Sequence, residues 1–188
     1  MSTESAPRQT KRAREKLVPP PPDVRWPYDG PMTWQDVVDH PALDDLPFRI
    51  EQDAWGRLLM SPTTNWHSFL QSRISRRLEE HLGGTALPEC SITTSEGTRV
   101  ADVAWVPDSF AEEHGFPLAY SVAPPLCVEV RSPSNTDAEM EEKITLYLAK
   151  GAQEVWLCDL EGHVAFFSHE GAVERSRLAP DFPARLDT

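Results

Sequence analysis

No stretch of the 188 residues approaches the twenty or so consecutive apolar side chains of a membrane-spanning helix, which excludes a helical membrane protein. The opening MSTESAPRQTKRAREKLVPPPP carries charge but no apolar core segment, so it does not read as a secretory signal. Cysteine is scarce. Cys90, Cys127 and Cys158 have no paired spacing and each sits in an apolar stretch, so buried, reduced thiols in a cytoplasmic protein are expected. No internal repeat is visible. Positive charge is also short: 18 Lys and Arg face 30 Asp and Glu, a net charge of −12 that argues against a broad DNA-coating surface. The deficit is uneven, because residues 1–16 hold five Lys and Arg against two Glu. KRAREK could touch nucleic acid or form a solvated tail.

What is present is 39% hydrophobic residues with six tryptophans, enough for one globular domain with a real core. Residues 1–30, basic and then proline-rich, are expected to form a disordered arm, leaving 31–188 as the domain. Thr33 with Asp36 marks a helix start, TWQDVVDH. FRIEQDAWGRLLMSP reads as a hairpin turned at 53–56. From Thr64 to Leu82 apolar residues recur every four positions, at Trp66, Leu70, Ile74 and Leu78, until Gly83-Gly84 stops the helix. ECSITTS, RVADVAWV and PLCVEVRS follow as strands, with a loop and a short helical turn between Pro107 and Pro125. A second helix spans 136–150, with Met140, Ile144, Tyr147 and Leu148 on one face. EVWLCD is a strand buried on both sides. HVAFFSH and residues 172–178 can pair beyond it. The strand, helix, strand run around 126–158 predicts a parallel crossover within a mixed α/β sheet.

Three polar residues interrupt these apolar contexts: Asp102, Glu129 and Lys143. Alternation puts Asp102 on a face with Val100 and Ala104, and Glu129 on a face with Cys127 and Arg131. If the two strands are neighbours, the carboxylates converge. Paired carboxylates with open water positions suit Mg²⁺, which can acidify an attacking water and neutralise charge on phosphorus. Lys143 can assist there or simply lie on a solvated helix face. Tyr147, one turn on, can reach the same site through its hydroxyl or fill the core. His67 can meet metal-bound water or phosphate, or cap and pack its helix, and Glu51 can approach from the first hairpin. Arg73, Arg76 and Arg77 offer phosphate contacts or a solvated face. Ser132 and Ser134 lack a G-x-S-x-G elbow, and Ser-Pro-Ser-Asn reads as a turn that ends a strand and leads to a cap at Asn135 or Thr136. His114, His163 and His169 have no metal-ligand spacing.

The combined pattern is more specific than its parts. ADVAWVP followed by PPLCVEVRSPSNTDAEMEEKITLYLAKGAQEVWLCD resembles the Uma2-like family of the PD-(D/E)xK nuclease superfamily. The matching residues are Asp102, Glu129 with Ser132-Pro133-Ser134, Lys143 with Tyr147, and Gly151, Glu154, Trp156 and Asp159. GRLLMSPTTNWH, carrying His67, extends the resemblance upstream, so that it runs from about 33 to 178.

This resemblance implies a restriction-endonuclease-like core, a mixed β-sheet flanked by helices. It also implies Mg²⁺-dependent hydrolysis of DNA phosphodiesters, with Mn²⁺ as a substitute. Asp102, Glu129 and the Val130 carbonyl would be metal ligands and Lys143 the catalytic lysine. The superfamily's ExK is not intact, since Arg131 holds the third position. Arg131 cannot act as a base but can hold phosphate. Ala101 stands where the superfamily has proline. Analogy with small nucleases adds a homodimer, one site for each strand. The rival expectation keeps the fold and loses the enzyme: a nucleic-acid- or protein-binding module with a vestigial site.

Overall fold

Thr33 caps α1 (Trp34–Val38) through a reciprocal capping box with Asp36, as its sequence predicts. The computed structural model describes residues 31–44 and 46–187, so the expected arm at 1–30, KRAREK included, lies outside the described residues. β1 (Phe48–Asp53) and β2 (Leu58–Pro62) form the antiparallel hairpin. Its turn is held by Asp53 Oδ1, which accepts from the amides of Trp55 and Arg57 at 2.9 Å each. Thr64 caps α2 (Asn65–Leu82), and Gly83 ends it. There follow β3 (Thr85–Thr94), β4 (Gly97–Val106), α3 (Asp108–His114), β5 (Leu126–Val130) and α4 (Asp137–Ala149). The chain continues through β6 (Glu154–Cys158), β7 (Val164–Ser168) and β8 (Gly171–Val173).

All eight strands join one mixed sheet in the order β2-β1-β4-β5-β6-β7-β8, with β3 on the other edge of β4. β5 and β6 are parallel across α4, the expected crossover. Alternation along β5 sorts the core onto two faces. Leu126, Val128 and Val130 meet Leu70, Ile74 and Leu78 of α2, while Cys127 meets Tyr147 of α4. Burying each such aliphatic side chain contributes about 1.5–3 kcal/mol. All three cysteines are free and buried, as expected.

β4 is the strand that positions the site. β3 runs along one of its edges, while β1 and β5 share the other. β1 holds only Thr98 and Gly97, through Gln52 and Asp53, and β5 holds Val103 to Trp105. Residues 99–102 between them have no strand partner on that edge, so the sheet forks there. Backbone groups opened by a fork must find other partners. Val100 N–H donates to Glu51 Oε1 at 2.8 Å, and Val130 N–H donates to Asp102 Oδ2. Arg99, 4% exposed, donates to the Gln52 carbonyl at 2.9 Å and to Glu142 at 3.1 Å, tying β1 to α4. Gly97 closes the fork. Its φ is +101°, and a Cβ there would lie 2.1 Å from the Gln52 carbonyl oxygen, so only glycine lets the two backbones approach this closely.

The buried face of α4 differs from the expected one. Met140, Lys143, Leu146 and Tyr147 are buried, while Ile144 and Leu148 are half-buried. The helix is rotated to carry a lysine inward because two carboxylates wait for it under the sheet.

Candidate active site

Glu129 lies near the end of β5 and is 2% exposed. An ionised carboxylate at that depth costs several kcal/mol unless it is paired. Lys143 Nζ donates to both its oxygens, at 3.1 and 3.2 Å, and Tyr147 Oη donates to Oε1 at 2.7 Å. Both donors come from one face of α4, four residues apart, as the i, i+4 reading expects. Lys143 also reaches Glu51 Oε1 at 2.7 Å, so β1 and β5 are bridged by one ammonium. Burial alone would raise Glu51, but Lys143, the Val100 amide and Arg49 outweigh it and hold the carboxyl below its usual range. Burial and the Glu129 charge push the Tyr147 hydroxyl well above its ordinary value, so it remains a donor.

Asp102 is completely buried and sits where β4 loses strict alternation. Ala101 and Ala104 both pack on the α4 side, so the strand changes face between them. The β3 residue that its register sets opposite, Glu89, has a left-handed φ of 51°. The expectation that Asp102 shares a face with Ala104 therefore needs correction. Asp102 turns toward α2, where its Oδ2 lies 3.2 Å from His67 Nε2, while Glu129 turns to α4. What joins the carboxylates is Arg49 of β1. Its Nη1 pairs with Asp102 Oδ1 and lies 3.9 Å from Glu129 Oε2. Burial would lower Arg49, but Glu129 and Glu51 outweigh it and raise it further.

His67 is 3% exposed, and neither ring nitrogen makes a well-aligned hydrogen bond. Burial, then the Arg49 charge, outweigh a hydrogen bond with the Val130 backbone and lower it to about 4, so at neutral pH it is an uncharged imidazole. Gln71, one turn further along α2, donates to the Asp102 carbonyl at 2.6 Å and to Glu89 at 2.9 Å. A cleft of about 530 Å³ opens beside the cluster, lined by Arg49, Glu51, Arg99 and Lys143 and by Asn135 and Glu139 from the start of α4.

Asp102, Glu129, Lys143, Tyr147, Glu51 and His67 are thus gathered at one place. Arg131 is not among them: its guanidinium turns outward to pair with Asp137. Arg73 and Arg77 are bound to Asp187, and Arg76 to Glu80, so none of the three turns toward the cleft. Asn135 Oδ1 accepts from Ser132 N–H and Oγ at 2.9 and 2.8 Å, which makes the Ser-Pro-Ser segment a turn, and Thr136 caps α4. Arg49, Arg99, Gln71 and Glu89 were not legible as site residues. The available signal was the alternation Arg49-Ile50-Glu51, which sends both charges to the same side of β1.

The residues present fit a divalent cation. Two buried carboxylates and the Val130 carbonyl are oxygen donors of the kind Mg²⁺ or Mn²⁺ takes, and the His67 imidazole stands beside them. A different cluster, Asp159, Glu161 and His163, brings ligand atoms together at an exposed turn, where Asp159 Oδ1 already accepts from the amides of Glu161 and His163.

A forked mixed sheet between helices, with strand-borne carboxylates and a helix-borne lysine, defines a restriction-endonuclease-like α/β domain. The Uma2 family, described as "Putative restriction endonuclease", matches residues 34–182, and the chain belongs to it. A crystal structure described as a putative nuclease belonging to DUF820, from Anabaena variabilis ATCC 29413, shares the fold with a TM-score of 0.65. The two are 18% identical over 82% of this chain and 95% of that one. No curated protein matches the sequence. Among the described residues no helix is long and apolar enough to cross a membrane.

Proposed function

We propose that this chain is an Mg²⁺-dependent endonuclease that hydrolyses phosphodiester bonds in DNA. The observation that carries the reading is that Asp102 and Glu129, joined by Arg49, are buried together with Lys143 directly behind the cleft that Arg49 and Lys143 line. Asp102, Glu129, the Val130 carbonyl and His67 would hold the ion. Mg²⁺, when bound, supplies an acidified water and neutralises charge on the phosphoryl oxygens. Tyr147 fixes the Glu129 carboxylate by its hydrogen bond, and Lys143 holds positive charge where the attacked phosphate would enter. Trp66 and Phe69 flank His67 along α2, half-exposed and stacked at 5.1 Å, and offer a surface for an unpaired base. A homodimer with two such sites would cut both strands.

One observation favours a second reading, a binding module with a silent site: Arg49 already neutralises Asp102. Supercoiled plasmid incubated with Mg²⁺ or Mn²⁺ separates the two. Cleavage by the wild type that is abolished by EDTA and by Asp102→Ala supports the nuclease. No cleavage with either metal, or equal cleavage by the mutant, supports the module.

A further inference from the structure

We infer that Arg49 is a displaceable internal cation that competes with the metal ion for Asp102 and Glu129 and withdraws toward Glu89 when the metal binds. The inference rests on the metal-dependent reading above and goes beyond it, because it assigns the site's affinity to a residue that ligates nothing.

Charge accounting leads to it. In the buried cluster, Asp102, Glu129 and Glu51 face Arg49 and Lys143, so one negative charge remains in excess. A divalent cation added to that set would leave a net positive interior. With Arg49 withdrawn, the three carboxylates and Lys143 carry two negative charges, which match one divalent ion. Arg49 also stands where the ion is needed, since its Nη1 lies between the two carboxylates. Guanidinium and metal cannot both occupy that space.

The fold provides a place to withdraw to. Arg49 lines the main cleft and also a second cavity of about 290 Å³ between α1 and β1. Glu89 lines that second cavity, and the charges of Glu89 and Arg49 act on each other already. Gln71 holds Glu89 Oε1 at 2.9 Å while its other contact is the Asp102 carbonyl, so the receiving carboxylate is fixed relative to the one that is vacated. Arginine suits such a move because its charge survives in either place. Before the ion enters, Arg49 keeps two buried carboxylates from lying bare, and it makes every cation pay the displacement.

Calorimetric titration of Mn²⁺ into the full chain tests this, with melting of the EDTA-treated protein alongside. Arg49→Met keeps the apolar stem without the charge. It should bind Mn²⁺ about tenfold tighter than wild type, within the usual range of coupling between sites. Its metal-free melting temperature should fall, because Asp102 loses the guanidinium that balances its charge. Glu89→Gln, at an exposed residue, keeps the test open should Arg49→Met not fold. It should bind Mn²⁺ about threefold more weakly, since the withdrawn arginine loses its acceptor. Affinities within twofold of wild type for the variants that fold would overturn the inference. If wild type binds Mn²⁺ and loses it on Glu129→Gln, that outcome leaves the metal site standing and removes only Arg49's part. If no form binds Mn²⁺, both readings fall together.

Discussion

Lys143 and Glu51 meet at 2.7 Å, an ammonium from α4 against a carboxylate from β1, and this contact fastens the first hairpin to the last helix of the site. The same ammonium serves Glu129. Removing it leaves two buried carboxylates short of a partner. Lys143→Met is therefore expected to cost about 3–5 kcal/mol in denaturant melts at neutral pH. Lys143→Arg should recover part of it. Loss of under about 1 kcal/mol would mean that water reaches the cluster and the pairing is weak.

His67 gives the metal-free protein a pH signature. Its folded value is lowered to about 4 from 6.5, so between these limits the unfolded chain holds a proton that the folded one lacks. Its contribution to stability is complete above about pH 6.5 and is lost as pH falls through 4. Glu51 acts in the same direction at lower pH, since its lowered carboxyl contributes above its ordinary value of 4.5 and is lost below that. In EDTA, urea midpoints should fall between pH 6.5 and 4, and His67→Phe should flatten that part of the curve. A slope unchanged by the substitution would assign the effect to another group.

Gly97→Ala tests the fork. The new Cβ would meet the Gln52 carbonyl at a φ of +101°, and that oxygen belongs to backbone, which gives little. The expected cost is about 2 kcal/mol or more. Because β1 would be pushed away with Arg49 and Glu51, Mn²⁺ affinity should change as well. A variant with wild-type stability and affinity would show that the two strands are not tightly joined there.

Glu154 holds the C-terminal segment. It is 2% exposed and accepts from Trp156 Nε1 at 2.9 Å, Ser176 Oγ at 2.6 Å and the amides of Arg177 and Leu178 at 2.6 and 3.2 Å. Glu154→Ala leaves several buried donors unmet, for an expected loss of about 3 kcal/mol. Hydrogen exchange should show residues 174–187 losing protection first, with Mn²⁺ binding retained. Uniform loss of protection would make Glu154 a general core residue instead of a local tether.

The elements were largely legible because each rests on local chemistry: the capping residues Thr33, Thr64 and Thr136, the four-residue recurrence from Leu70 to Leu78, and the apolar run of β5. Lys143 and Tyr147 were legible from their spacing on one helix together with the resemblance. Arg49 was not, because its partners lie on β4 and β5 and nothing near it in the chain announces them. The direction of the Arg131 side chain is hidden from the sequence for a related reason. Its place two residues after Glu129 is compatible with holding phosphate, but it lies past the last residue of β5 and pairs outward with Asp137.

The fork in the sheet also bears on how the chain finds its fold. β1 is joined to β4 by two residue pairs, a ladder too short to fix its alignment by backbone bonding alone. A slip of one residue would turn Arg49 and Glu51 to the opposite side and leave Asp102 without its guanidinium, all beneath the surface. That misaligned state loses several charge pairs at once, whereas a slipped apolar strand would lose only contact area. The ionic cluster thus ties the native alignment of β1 to charge pairing inside the protein, independently of any metal or substrate.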